Sequence, residues 1–252
     1  MTAFADHFSG HAARYAEFRP SYPAPFIQHL AAAAPHRRLA WDCGTGNGQA
    51  AVLLAAHFER VVATDASSQQ VAHAVAHPHV EYRVAPERES GLEAGSAALV
   101  TVAQAYHWFD HMAFAAEVHR VLQPGGVVAV WCYQLLRISP EIDAVVDEFY
   151  EHNIGAYWPP ERRQVETGYR DLPFPFAEFD AGTWFMHAGL TLAAFLGYVG
   201  TWSAVAKARA AEGRDPVEEL RGAIAGSWGA PEASRRVTWP LNVRAARKPG
   251  AE

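Results

Sequence analysis

Short apolar runs alternate with amphipathic stretches through the first half of the chain. The apolar runs have the length of buried strands, and the stretches between them carry the three-to-four-residue spacing of helices that cover a sheet. Strands that alternate with helices form a parallel sheet with helices on both faces, and ligands of such sheets lie beyond the carboxyl ends of the strands. The pattern predicts strands over 39–43, 60–64, 79–84, 97–103 and 126–133, and helices over 24–34, 47–57, 67–77 and 110–122.

The alternation stops after residue 138. The stretch 139–189 is aromatic and punctuated by prolines, unlike a plain crossover helix. Long insertions at the ligand edge commonly carry specificity, so we expect a cap that walls a substrate pocket, with a packing layer as the alternative. A helix over 216–225 and a final strand or hairpin over 235–247, antiparallel to its neighbours, should follow. Pro240 inside that last strand favours a sheet edge, a bulge or a break.

Composition narrows the class of protein. Half of the 252 residues are apolar and 12% are aromatic, enough for one α/β domain with an insertion or for two small domains. The formal net charge of −6, without a basic stripe, argues against a nucleic-acid partner. The two cysteines fall on predicted strands, and no Cys/His spacing resembles a metal site. No signal peptide or apolar run of about 18 residues is evident, so we expect a cytoplasmic enzyme without membrane contact.

Three alternate glycines connect the first predicted strand to the first helix of the core. Gly44, Gly46 and Gly48 form G-x-G-x-G, which differs from the G-x-G-x-x-G of dinucleotide sites, and no Walker lysine follows. Asp42 precedes them, and its charge suits a cationic ligand better than a phosphate. Asp65 ends the second strand, where related folds place the carboxylate that takes ribose hydroxyls. Close packing of helix on strand is the structural alternative for a lone glycine turn.

Two later motifs carry a family resemblance. The fourth strand runs into Ala-Gln-Ala-x-His-Trp-Phe-Asp over 103–110, and Leu-x-Pro-Gly-Gly over 122–126 precedes the fifth. With the acid–glycine turn and Asp65, these motifs resemble class I S-adenosylmethionine-dependent methyltransferases with a type 11 methyltransferase domain, in a subgroup similar to trans-aconitate methyltransferase. The resemblance covers nearly the whole chain.

The resemblance implies a fold and a domain plan. The fold is α/β, a Rossmann-like three-layer sandwich with a mostly parallel seven-stranded sheet, an antiparallel last strand and an inserted cap. An N-terminal arm or lid would occupy 1–36, the cofactor-binding core 37–138, the cap 139–189, and the remaining core sheet and helices 190–252. We leave open whether the protein is a monomer or a dimer.

The resemblance also implies site residues. S-adenosyl-L-methionine would be the cofactor, and no metal is expected. Its predicted contacts come from Asp42, Gly44, Gly46, Gly48, Asp65, Ala66, Glu87, Gln104 and Trp108. In this family an Ala-Glu pair edges the adenine, and here Pro86 precedes Glu87, which removes one backbone N–H. The predicted substrate contacts are Tyr15, Arg19, Tyr22, His107, Tyr133, Trp158 and Trp184.

His107 is the candidate catalytic residue, either as a general base or as a residue that only fixes the loop. Arg19, Arg162 and Arg170 are candidates for binding an acidic substrate. The leading hypothesis is direct in-line methylation of an oxygen of a small organic acid or secondary metabolite. N- or C-methylation of another small molecule, and a cofactor-binding protein without turnover, are the alternatives, with a nicotinamide dehydrogenase as a distant third.

Overall fold

The computed structural model of the chain describes residues 20–250. Tyr15 and Arg19, two of the expected lid residues, lie outside the described residues. Within the described range, no helix is long and apolar enough to cross a membrane.

The first half of the described chain alternates strands and helices as the pattern predicts. The strands β1 and β4 match their predicted bounds, and β2 extends one residue further, to Asp65. The elements are α1 (Ala24–Ala33), β1 (Leu39–Cys43), α2 (Gln49–Leu54), β2 (Arg60–Asp65), α3 (Ser68–Ala72), β3 (Val80–Val84), β4 (Ala97–Ala103), α4 (His111–Val121) and β5 (Leu122–Tyr133).

The helix α3 is half as long as the predicted helix over 67–77. Hydrogen bonds to other elements hold the chain that follows it. The Val75 backbone N–H donates to the Asn47 carbonyl at 3.0 Å, and the Tyr82 hydroxyl donates to the Val75 carbonyl at 2.8 Å. These bonds hold the segment against the glycine turn and β3, so the helical hydrogen-bonding pattern ends at Ala72.

The second half contains the stretch expected to form the cap, and the end of the sheet. The residues Phe149–Asn153 form a π-helical turn, and Gly155–Tyr157 form a short 3₁₀ turn. The remaining elements are α5 (Pro140–Glu148), α6 (Arg162–Glu166), β6 (Glu178–Phe179), β7 (Trp184–Leu190), α7 (Leu192–Val199), α8 (Ser203–Glu212), α9 (Pro216–Trp228) and β8 (Arg235–Arg247).

An eight-stranded mixed sheet joins these elements within residues 20–250. Its order is β3-β2-β1-β4-β5-β8-β6, and β7 also pairs with β8. The first five strands are parallel, whereas β8 runs antiparallel to β5, β6 and β7. The prediction of a mostly parallel Rossmann-like sheet with an antiparallel last strand is therefore confirmed. The eighth strand arises because β6 and β7 pair with different parts of the long β8.

Pro240 does not lie in an edge strand, so the expected edge is wrong, but regular pairing of β8 with β5 breaks off at Leu241, the residue after Pro240. Pro240 lies within β8, opposite Phe185 of β7, and its carbonyl accepts the Gln134 backbone N–H at 3.0 Å. The N–H and C=O of one strand residue point to the same side, so the missing donor of Pro240 faces Gln134. Since β5 ends at Tyr133, the sheet loses one hydrogen bond just past the end of that strand.

Two apolar clusters cover opposite faces of the sheet. Ala40 and Trp131 face the cluster that includes α1, α2 and α7, whereas Trp41 and Cys132 face the one that includes α4 and α6. Alternate strand residues point to opposite faces, so one strand serves both clusters. The polar ends of β1, β2 and β4 are left at the carboxyl edge, where the site is found.

Candidate active site

The glycine turn over 44–48 is held by positive backbone angles and close packing. Gly44, Gly46 and Gly48 have φ of 66°, 57° and 91°. A Cβ on Gly44 would lie 2.6 Å from the Ala105 Cβ, and one on Gly48 would lie 2.1 Å from the Tyr82 hydroxyl. At Gly46 the nearest atom would be 3.8 Å away, so this middle position is the open one, where a ligand can approach the backbone.

Asp42 lies directly beneath the turn and is fully buried. Its two carboxylate oxygens accept the hydroxyls of Thr45 at 2.6 Å and Thr101 at 2.7 Å. Burial raises the pKa of Asp42 to about 6, because desolvation outweighs these two hydrogen bonds. No Lys or Arg of the described residues forms an ion pair with it. A positive charge bound near the turn would therefore stabilise the ionised carboxylate.

Asp65 connects the end of β2 to the same turn. Its carboxylate accepts the Gly46 N–H and the Ser67 N–H, each at 2.8 Å. Asp65 is partly exposed, and Ala66 beside it is exposed. The structure therefore brings Asp42, the glycine turn and Asp65 together at one edge of the sheet.

The loop after β3 is fastened to α4. Glu117, 7% exposed, accepts the Ser90 backbone N–H at 2.8 Å and pairs with the Arg120 guanidinium at 2.7 Å. Burial alone would raise the pKa of Glu117, but hydrogen bonds from Arg120 and Ser90 outweigh it and lower the pKa to about 2. Glu87 lies in this loop, largely buried, with the Arg88 guanidinium 3.6 Å away.

The end of β4 turns sharply over the glycines. Gln104 has φ of 59°, an uncommon angle for a residue with a side chain, and its N–H donates to the Trp131 carbonyl at 2.9 Å. A single 3₁₀ turn over Tyr106–Trp108 follows, and the Asp110 side chain then caps α4. This sharp turn is what brings Ala105 against Gly44 and sets His107 at the carboxyl edge.

His107 is largely buried beside Trp108, with the two ring centroids 4.7 Å apart. Its Nδ1 lies 3.0 Å from the Tyr169 hydroxyl. Burial lowers the pKa of His107 to about 3, and the positive charge of Arg162 adds to the effect. The imidazole is therefore neutral at physiological pH and weakly basic.

Arg162 lies at the start of α6, in the stretch expected to form the cap. Its guanidinium carbon is 4.7 Å from the Trp158 ring centroid, and its Nε donates to the Tyr150 hydroxyl at 2.6 Å. That hydroxyl in turn donates to Glu166 at 2.6 Å. Within residues 20–250, no carboxylate lies within ion-pair distance of Arg162. A half-buried cation without a carboxylate partner is suited to bind an anion.

The other predicted substrate residues, Tyr22, Tyr133 and Trp184, all belong to the apolar cluster on the face of α1, α2 and α7. Tyr22 is buried with its ring 5.4 Å from Trp131, and Tyr133 is buried at the end of β5. Trp184 packs on the Phe26 ring at 5.5 Å, and its Nε1 donates to a backbone carbonyl. It belongs to the cluster on the face opposite to Tyr169, so its contacts in this structure are those of a packing residue.

Sequence reasoning missed Thr101, Tyr150 and Tyr169. Thr101 reaches Asp42 because β1 and β4 pair in parallel with these two residues side by side, a register that the local sequence does not indicate. Tyr169 has φ of 64° and is fully buried, and nothing in its local sequence indicates either. Tyr150 lies in the π-helical turn Phe149–Asn153, which the sequence did not predict.

The described residues contain no cluster of three or more His, Cys, Asp or Glu side chains placed to hold a metal ion. A cavity of about 310 Å³ opens between α5 and α9, away from the glycine turn, and it is lined mainly by apolar side chains such as Val145, Phe149 and Leu220.

The family model and the related sequences that match this chain indicate the same family. Residues 41–130 match the family model described as a methyltransferase domain. A Dictyostelium discoideum protein named as a methyltransferase is 33% identical over 224 residues, which span 87% of this chain and 85% of that protein.

Solved structures agree with the sequence matches. One described as a type II methyltransferase from Anaeromyxobacter dehalogenans is 47% identical, covers 93% of this chain and all of its own, and superposes with a TM-score of 0.89. The YcgJ protein of Bacillus subtilis, 16% identical over 91% of this chain and all of its own, shares the fold with a TM-score of 0.52. The glycine turn, both acids and the β4 turn all lie within the part of the chain that the domain model matches. The chain therefore belongs to the class I S-adenosylmethionine-dependent methyltransferases.

Proposed function

We propose that this methyltransferase binds S-adenosylmethionine at the carboxyl edge of β1, β2 and β4 and methylates a carboxylate oxygen of a small organic acid. The observation that carries the acid substrate is the half-buried Arg162 guanidinium, which has no carboxylate partner within residues 20–250. Membership of the subgroup similar to trans-aconitate methyltransferase remains a prediction. The choice of a small organic acid as the substrate follows from that prediction.

The residues at the glycine turn fit the cofactor. Gly46 leaves its backbone open to a ligand, and Asp42 supplies a buried negative charge without a cationic partner in the described chain. Asp65, partly exposed at the end of β2, would take the ribose hydroxyls, and Glu87 in the loop after β3 would face the adenine. When bound, S-adenosylmethionine supplies a methyl group already activated by the sulfonium.

The residues of the β4 turn and the cap would hold the acceptor. Arg162 would bind the acid through its guanidinium, with Trp158 and Tyr150 fixing the orientation of that group. The stretch 139–189 would then serve as the cap over the acceptor and would exclude water. A carboxylate is already ionised at neutral pH, so its methylation requires no base. A substrate that needs no general base agrees with a His107 side chain that is neutral and weakly basic.

A paired acceptor screen tests the substrate class. Small mono-, di- and tricarboxylic acids are compared with their primary amides, and products are identified by mass spectrometry before and after alkaline hydrolysis. We expect products only from the acids, and we expect alkali to release the methyl group as methanol, as a methyl ester requires. Methylation of the amides at equal rates, or an alkali-stable product, would contradict the proposal.

The role of Arg162 is tested in the same assay. Arg162→Gln should raise KM for the acid about tenfold to a hundredfold, because a charge-assisted hydrogen bond contributes about 1.5–3 kcal/mol. The matched control is Arg163→Gln, since Arg163 is the next residue of α6 and is exposed. An unchanged KM in the Arg162 variant would remove the main support for an acidic acceptor.

A further inference from the structure

The contact between His107 and Tyr169 determines which nitrogen of the imidazole carries the proton. Nδ1 of His107 lies 3.0 Å from the Tyr169 hydroxyl. Nε2 makes no hydrogen bond to any residue in the range 20–250. A neutral imidazole has one N–H donor and one lone pair, so the direction of this one hydrogen bond fixes what Nε2 can do.

The buried position of Tyr169 decides that direction. Tyr169 is fully buried, and among the described residues His107 Nδ1 is the only acceptor within reach of its hydroxyl proton. If Nδ1–H donated instead, the Tyr169 O–H would be buried without an acceptor, at a cost of about 1–3 kcal/mol. Burial raises the pKa of Tyr169 well above its usual value, so the phenol keeps its proton at neutral pH. That proton requires an acceptor, and Nδ1 of His107 supplies it.

We propose that Tyr169 is a positioning residue that holds His107 in the tautomer with Nε2 protonated, so that His107 donates a hydrogen bond to the acceptor oxygen and does not abstract a proton. The tautomer follows from the contacts of this chain alone, and only the nature of the oxygen rests on the proposed function. A donor at Nε2 suits a carboxylate, which has lone pairs to accept it and no proton to lose.

The backbone around Tyr169 is held firmly enough for this role. Tyr169 has φ of 64°, a strained angle for an aromatic residue. Arg244 of β8 donates to the backbone carbonyls of Tyr169 and Leu172, each at 2.8 Å, and its guanidinium lies 4.6 Å from the Phe174 ring centroid. These contacts fix a residue in the insertion to a strand of the sheet, and they keep the hydroxyl aimed at His107.

Nitrogen NMR tests the tautomer without any substrate. The full-length protein is labelled with ¹⁵N-histidine, and His107→Gln identifies the signals of His107. We expect Nδ1 to have the shift of an unprotonated nitrogen that accepts a hydrogen bond, and Nε2 the shift of a protonated one. Tyr169→Phe should move the Nδ1 signal. The control Tyr157→Phe, which removes a hydroxyl bonded to Glu212 at 2.6 Å, should leave both nitrogens unchanged.

Kinetics complete the test. Tyr169→Phe should lower kcat for the methyl acceptor about fivefold to tenfold, with affinity for S-adenosylmethionine within twofold of wild type. A protonated Nδ1 in the wild-type protein, unchanged His107 shifts in Tyr169→Phe, or an unchanged kcat would overturn the proposal. If acids prove not to be substrates, the proposed function fails, but the NMR result still decides the tautomer.

Discussion

At the scale of single residues, the two acids of the site act in different ways. Asp42 is buried under the glycine turn with both oxygens bonded to threonine hydroxyls. Asp65 is partly exposed and accepts two backbone N–H groups. Both acids and the three glycines could be predicted from the sequence, because strand ends and positive backbone angles have sequence signals. The hydroxyls that bind Asp42 come from Thr45, in the glycine turn after β1, and from Thr101 in β4. The pairing of β1 with β4 brings Thr101 to Asp42.

Replacing Gly48 by alanine should strongly destabilise the fold. The position combines φ of 91° with a site where a Cβ would lie 2.1 Å from the Tyr82 hydroxyl. We expect a loss of about 3 kcal/mol in the free energy of unfolding, measured with urea, because backbone strain adds to overpacking. Gly213→Ala is the control, since Gly213 has φ of 68° with nothing within 4 Å, and it should cost about 1 kcal/mol. Equal losses would mean that packing against Tyr82 does not matter.

At the scale of elements, apolar runs predicted β1 to β4 to within one residue at each end and the lengths of some helices poorly. The strand β5 begins four residues before the predicted one, and β6 and β7 were not predicted. The strands β1 and β4 match because their runs are short and end at turn residues. The helix α3 is shortened by hydrogen bonds from Tyr82 and Val75 to other segments, and such contacts leave no local pattern. The loop after β3 is likewise held by a side chain of α4, at a distance in sequence that periodicity does not detect.

Glu117→Gln should destabilise the protein in a pH-dependent way. The pKa of Glu117 is lowered from 4.5 to about 2, so its carboxylate stabilises the fold above pH 4.5 and loses this effect as the pH falls through about 2. We expect the variant to be less stable than wild type by about 2 kcal/mol at pH 7, with a smaller difference at pH 3. Urea unfolding at both pH values measures it.

The matched control for Glu117 is Glu93→Gln, since Glu93 is exposed in the same loop region. This change should alter the free energy of unfolding by less than about 0.5 kcal/mol at either pH. A difference between Glu117→Gln and wild type that is the same at pH 7 and pH 3 would contradict the ionised clamp between α4 and the loop.

At the scale of the whole molecule, the order of elements was enough to predict the class of fold. Alternating strands and helices predicted the parallel part of the sheet, and the last strand was expected to be antiparallel. The place of β8 inside the sheet could not be predicted, because Pro240 favoured an edge, and the strands that cover the outer side of β8, β6 and β7, were not predicted. The contacts of Arg162 and Tyr169 likewise depend on how the insertion folds against the β4 turn.

We expect S-adenosylmethionine to bind at the edge formed by Asp42, the glycine turn and Asp65. Isothermal titration calorimetry with S-adenosylmethionine, S-adenosylhomocysteine and NAD measures this binding, with Asp65→Asn as the variant. We expect one site for the first two ligands and none for NAD, and at least tenfold weaker binding in the variant. Absence of binding by both S-adenosyl ligands to the wild-type protein, or binding of NAD with equal affinity, would contradict this expectation.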